Sequence, residues 1–326
     1  MMEDQIPFHP ILMHFAARYA GFSYRQFASD HRVLTECNLR AQHDFELDAV
    51  GLISDPYRET AAFGAEITYP EEGVPRCMNI LVRSLEDVHA LKNPDLMKSE
   101  RTRDRILAGR ELRRLADPEI PVIGWIEGPL AECCNLAGVN EILLKLYMEP
   151  DFVRFLMEKV MVTAREFAKA QVEAGCGIIG VGDAICSQIS ADNYREFVRE
   201  KHRELFGHIH SLGARVKLHI CGNITHLLEE LPYAAPDIVD LDWMVDMDQA
   251  FEVLGERIVR CGNLDPVGVI QEKGESEIYA ESRRLCEREK ERGFILAGGC
   301  EITVKTPPAH LRAMRDASRS VPSGNP

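Results

Sequence analysis

Arg215-Val-Lys-Leu-His-Ile-Cys-Gly222 is a short run of apolar and basic residues that ends in a histidine, a cysteine and a glycine. Its length and composition suit a buried strand. Residues two apart on a strand share a face, so His219 and Cys221 can reach one ion together. A second run, Phe294-Ile-Leu-Ala, opens into Gly298-Gly-Cys300. Imidazole and thiolate are good zinc ligands. Three protein ligands with a vacant fourth position describe a catalytic zinc rather than a closed structural one. Buried cysteines are also common small core residues. Spacing alone therefore leaves a metal role and a packing role both open for His219, Cys221 and Cys300.

Working outward, further strand patterns occur at residues 47–53, 121–126, 177–181, 238–241 and 258–261. Helical patterns lie between them, at 151–174, 193–212 and 275–292. Ser190 or Asp192 supplies an N-cap for the second of these, and Gly213 follows its end. Alternating apolar strands and helices predict a parallel sheet covered by helices. About seven such units without a linker favour a closed (β/α)8 barrel over an open sheet. The region before about residue 45 reads as an N-terminal helical extension. Residues 66–80, with Tyr69-Pro-Glu-Glu-Gly-Val-Pro75, read as a hairpin insertion. Residues 318–326 are expected to fray.

The chain has 326 residues, is 45% apolar, and carries a formal charge of −14. That charge argues against a nucleic-acid backbone or an anionic membrane surface as partner. No stretch approaches a membrane span in length. The opening Met1-Met-Glu-Asp-Gln-Ile-Pro7 lacks a signal-peptide pattern. A cytoplasmic protein is expected, whose ten cysteines stay reduced.

The chemically competent residues cluster at strand ends. Asp55, Glu127, Asp183, Cys221, Asp242, Asn263, Asp265 and Cys300 each follow a strand pattern. In a barrel these ends converge on one mouth. A single polar residue there is most often a turn or helix cap. Glu127 and Asp183 are candidates for a fourth metal ligand, or for a group that orients His219. Asp242 and Asn263 are candidates for contact with substrate or cofactor, with capping as the alternative. Cys133, Cys134 and Cys176 read as packing residues. Cys186 is the one spare thiol expected near the mouth.

Ile189-Ser-Ala-Asp-Asn-Tyr-Arg-Glu-Phe-Val198, continued by Lys217-Leu-His-Ile-Cys-Gly-Asn-Ile-Thr-His226, resembles the uroporphyrinogen decarboxylase superfamily. More narrowly, it is similar to the zinc-dependent, corrinoid-linked methyltransferase branch. Gly128-Pro129, Gly298-Gly-Cys-Glu301 and Thr306-Pro307 match that branch too. The resemblance spans nearly the whole chain and implies one barrel domain over residues 1–326. It implies a methyltransferase with Zn2+ on His219, Cys221 and Cys300, and Asp55 in the place of the decarboxylase's catalytic aspartate. The chain is too short to add a cobalamin domain and lacks its Asp-x-His-x-x-Gly signature. The corrinoid is therefore expected on a separate corrinoid-binding protein, with a small-molecule methyl donor or acceptor as the other reactant. A homodimer is left open.

Met13-His-Phe-Ala-Ala-Arg-Tyr19 is similar to the decarboxylase's Met-Arg-Gln-Ala-Gly-Arg-Tyr, so His14 and Arg18 fall where that enzyme binds its ligand. His14 replaces an arginine there, and Gly-Gly-Cys300 replaces a glycine-histidine-glycine ending. A four-carboxylate porphyrinogen needs several cations. The rival expectations are a decarboxylase working through Asp55 and Arg18, and a non-catalytic relative that binds a corrinoid or tetrapyrrole.

Overall fold

The structure, a computed structural model, describes residues 5–322. Seven parallel strands form one curled sheet: β1 (Val50–Gly51), β2 (Val122–Glu127), β3 (Ile178–Gly182), β4 (Arg215–His219), β5 (Ile238–Leu241), β6 (Val259–Leu264) and β7 (Phe294–Gly298). Each pairs with its neighbour in sequence, and helices run between them. All seven coincide with the strand patterns of the sequence. The fold is an α/β barrel.

The segment at residues 7–9 closes the gap between β7 and β1. The Leu296 N–H donates to the Pro7 carbonyl at 2.8 Å, and the His9 N–H donates to the Leu296 carbonyl at 3.1 Å. On the other side, the Asp48 N–H donates to the Phe8 carbonyl at 3.0 Å. The expected helical extension therefore begins later than the chain's start, with helices His14–Ala20, Tyr24–Ser29 and His31–Phe45. The reason is local. Pro7 and Pro10 lack the N–H that a helix needs and push their predecessors toward extended backbone. Ile6 and Phe8 are buried by this arrangement.

The hairpin is present as the antiparallel pair Ile67–Thr68 and Arg76–Cys77. Ser190 is the cap that forms, accepting from the Asn193 N–H at 3.2 Å. The helix it starts includes one wide turn at Tyr194–Val198 and runs on to Ser211. Arg319 ends the last helix, Val321 is buried, and residues 323–326 of the tail expected to fray lie outside the described residues.

Strand alternation explains the barrel interior. Val216, Leu218 and Ile220 face the helices and are buried among apolar groups. Lys217 and His219 face the other way, into the barrel. Trp125 of β2 fills much of the space beside them. A Cβ built on Gly180 would lie 2.2 Å from Trp125 Cε3, and one on Gly182 would lie 3.1 Å from Trp125 Nε1. This is why β3 reads Ile-Ile-Gly-Val-Gly. Gly180→Ala should therefore drive the indole toward the His219 ring, whose centroid is 5.9 Å away. Overpacking of this kind costs roughly 1–3 kcal/mol. Thermal denaturation should show a lowered midpoint, and metal retention should fall with it.

Candidate metal centre

β4 delivers His219 and, just past its end, Cys221. The loop after β7 delivers Cys300. His219 Nε2 lies 3.0 Å from Cys221 Sγ, and Cys221 Sγ lies 3.8 Å from Cys300 Sγ. All three donor atoms lie within 4.8 Å of one another. A tetrahedral ion with metal–sulfur bonds of about 2.3 Å sets its two sulfurs about 3.8 Å apart. The sulfur pair fits that spacing. The nitrogen–sulfur edge is shorter than the about 3.6 Å such an ion would set, because the two groups are in hydrogen-bond contact.

The loop geometry is set by glycine. A Cβ on Gly299 would meet the Trp243 backbone nitrogen at 2.5 Å and Asp242 Cα at 2.8 Å. Only glycine lets the Cys300 loop lie this close to the loop after β5.

Behind the trio stands a buried charged file. His219 Nδ1 meets Asp240 Oδ2 at 2.9 Å, and Lys217 Nζ meets Asp240 Oδ1 at 2.6 Å. Asp240 sits on β5 directly opposite His219 in the register. Burial opposes its charge, but Lys217 and His219 outweigh burial and hold the carboxyl well below its usual range. Burial likewise works against a charged His219, yet Asp240 and Cys300 raise it to about 10. Contact with Cys221 and His219 brings Cys300 down to about 4, while Cys300 pushes Cys221 up. The trio thus already favours one thiolate. The Nδ1–Asp240 contact turns Nε2 toward the sulfurs. Removing such a carboxylate lowers metal affinity by roughly 10–100-fold. Asp240→Asn should show that loss in a chelator competition while keeping its circular dichroism.

The trio forms one wall of a cavity of about 250 Å3. Ile11, Met13, Ile53, Val74 and Trp125 supply its apolar walls, and Asp55, Glu127 and Glu301 its acids. Asp55 accepts from Ser54 Oγ at 2.7 Å and the Tyr57 N–H at 3.0 Å, and is ion-paired with Arg101. Burial opposes its ionisation, but Arg101 and Arg58 bring it down to about 2. Glu127 takes the Arg58 Nη2 donor at 2.7 Å. Burial, with Glu59 nearby, outweighs Arg58 and pushes Glu127 up to about 8. Glu301 accepts from the His14 N–H at 3.0 Å, and burial pushes it up to about 7.

His219, Cys221, Cys300, Asp55 and Glu127 are thus brought together. The other candidate residues are placed elsewhere. Asp183, considered as ligand or as orienter of His219, turns its carboxylate away. It accepts from the Leu130 and Ala131 N–H groups at 3.3 and 2.6 Å and meets His202 Nε2 at 2.9 Å. It caps helix Pro129–Ala137, whose amides attract a carboxylate. Cys186 packs beside it, fully buried. His14 meets Glu72 at 2.5 Å and is not among the cavity-lining residues. Arg18 is exposed on the last turn of its helix and does not line the cavity. Asp242 accepts from the Gly222 and Trp243 N–H groups at 2.8 and 2.7 Å. Asn263 donates to the Val245 carbonyl at 2.9 Å. Asp265 accepts from the Val267 and Gly268 N–H groups. These last three do the capping work that strand-end polar residues usually do. Cys133, Cys134 and Cys176 are buried packing residues.

Sequence reasoning missed Asp240, Lys217, Glu301, Arg58 and Arg101. A signal existed for the first two, since each is a charge inside an apolar strand run. Arg101 has no such signal, being 46 residues from Asp55 on a helix.

The chain matches the family model described as Uroporphyrinogen decarboxylase (URO-D) over residues 2–321. A uroporphyrinogen decarboxylase from Solibacter usitatus is 26% identical over 320 residues, covering 93% of this chain and 90% of that protein. Methylcobamide:CoM methyltransferase MtbA from Methanosarcina mazei is 27% identical over 277 residues, covering 84% and 80%. Among solved structures, a methyltransferase from Methanosarcina mazei shares the fold with a TM-score of 0.88 at 21% identity, covering 97% of this chain and 94% of that one. No helix among the described residues is long and apolar enough to cross a membrane.

Proposed function

The chain belongs to the uroporphyrinogen decarboxylase family, and from that premise we propose that it is a zinc-dependent methyltransferase. The methyl group would pass between a corrinoid carried on a partner protein and a small molecule seated in the 250 Å3 cavity. The observation that carries this reading is the His219, Cys221 and Cys300 trio on the cavity wall, two sulfurs 3.8 Å apart. A decarboxylase has no use for this set.

The chain's own residues have assignable tasks. His219, Cys221 and Cys300 would hold the ion. Lys217 keeps Asp240 charged, and Asp240 keeps Nε2 of His219 aimed at the ion's position. Zinc there would act as a Lewis acid, favouring the thiolate form of a bound thiol or polarising a bound oxygen. Ile11, Ile53 and Trp125 exclude water from the reacting atoms. Glu127, mostly protonated at neutral pH, can hand a proton to a leaving oxygen or nitrogen. Asp55, locked between Arg101 and Ser54, serves as a fixed negative wall rather than a proton carrier. The cavity opens at the strand ends, where the partner would dock.

The rival decarboxylase reading would use Asp55 and Arg18. Asp55 is spent on Arg101, and Arg18 lies outside the cavity. Metal analysis should find about one zinc per chain. Methylcobalamin, offered with a panel of thiols, and Co(I) cobalamin, offered with methoxylated or methylated donors, report transfer through the cobalt–methyl absorbance. Uroporphyrinogen should give no coproporphyrinogen above background. Enzymatic decarboxylation by zinc-free protein would overturn the reading.

A further inference from the structure

We infer that the cavity selects an uncharged, largely apolar small molecule and rejects anions, an inference that rests on the methyltransferase reading and narrows its substrate class. Among the described residues that line the cavity there is no lysine and no arginine. The guanidinium groups of Arg58 and Arg101 stand behind the acids, outside the lining, with their Nη donors committed. Arg58 serves Glu127 and the Asp55 carbonyl. Arg101 serves the Asp55 carboxylate and the Ala28 carbonyl. Neither can turn to a ligand without stripping a buried carboxylate of its partner.

Several strand-end backbone donors are taken in the same way. Strand-end N–H groups often cradle anions in barrels of this kind. Here the chain's own carboxylates occupy them. Asp183 takes the start of helix Pro129–Ala137, Asp242 takes Gly222 and Trp243, Asp55 takes Tyr57, and Asp265 takes Val267 and Gly268. An incoming carboxylate or sulfonate would face the Asp55 carboxylate with no lysine or arginine on the lining to offset it. Like charges brought together without a counter-charge repel and weaken binding. What the cavity does offer is an apolar wall of Ile11, Met13, Ile53, Pro56, Val74 and Trp125. Its 250 Å3 equals the space of roughly eight waters at about 30 Å3 each, enough for a single small ring or a short chain.

The test uses zinc-loaded protein and pairs of probes matched in reactive group but not in charge. The pairs are 2-mercaptoethanol with 2-mercaptoethanesulfonate, and 2-methoxyphenol with 4-hydroxy-3-methoxybenzoate. Binding is read by calorimetry, and methyl exchange with cobalamin by absorbance. At least one neutral probe should bind, and should bind at least about tenfold tighter than its anionic partner. Val74→Lys places a cation at the half-exposed rim and should narrow that ratio. Anions binding as well as neutral probes would overturn the inference, and so would binding of neither neutral probe. Methyl exchange separates the two levels. Exchange with an anionic probe would sink the charge selection and keep the methyltransferase. Tight neutral binding without exchange of any probe would keep the selection and sink the methyltransferase.

Discussion

Cys300→Ser protein should fold, and it should lose nearly all of its zinc. The thiolate is a far better zinc ligand than an alcohol, and one ligand of three is removed. The barrel core does not depend on this residue, which sits on a loop after β7. Circular dichroism and melting should stay close to those of the unaltered protein. Zinc per chain should fall from about one to a small fraction, and cobalt–methyl exchange should fall by at least about a hundredfold, in line with loss of the group that activates the substrate. His219→Ala and Cys221→Ala should behave alike. Full zinc in the Cys300 variant would remove that residue from the site. Unchanged exchange in a zinc-free variant would make the metal irrelevant to transfer.

Arg58→Met should be the most destabilising single change near the cavity. Arg58 is fully buried and stands between Glu127, Glu59 and the Asp55 carbonyl. Removing one member of a buried charged set costs roughly 3–5 kcal/mol, because the partners keep their desolvation penalty and lose their counter-charge. The loss should depend on pH in a stated direction. Burial, with Glu59 nearby, raises Glu127 to about 8 even with Arg58 present, and burial raises Glu59 as well. A carboxyl raised in the folded state contributes stability that is complete below its unfolded value near 4.5 and fades as pH rises through the folded value. Melting midpoints of wild type and variant should therefore lie closer together at pH 5 than at pH 8. A gap that widens toward acid would contradict the assignment. Arg101→Leu, which orphans Asp55, should also destabilise, with a gap that narrows toward acid only at a much lower pH. Asp55 sits at about 2, so its pairing matters at every pH above about 4 and is lost only in strong acid.

The barrel could be read because its strands are local signals. Residues 216–220 and 294–297 are short, mostly apolar runs, and so are the other five. The trio could be read because His219 and Cys221 lie on one strand and Cys300 closes another. Zinc chemistry limits which residue types can serve. The closing segment at residues 7–9 was not legible as a strand. It is three residues long, and its partners, Leu296 and Asp48, are distant in sequence.

The strand-end acids show where sequence stops. Asp55, Glu127, Asp183 and Asp242 look equivalent in the chain, each a carboxylate after an apolar run. Their order along the barrel followed from the alternation of strands and helices, which is a local property of hydrophobic spacing. Their separate roles came only from tertiary contacts. Arg101, brought in by a helix 46 residues downstream, holds Asp55 ionised. Burial, with Glu59 nearby, pushes Glu127 up to about 8. His202 and two helix amides claim Asp183. The loops after β4 and β5 claim Asp242. A carboxylate's charge and direction depend on which groups stand within a few ångströms and on how little water remains, and both are set by packing between distant segments rather than by neighbours in the chain.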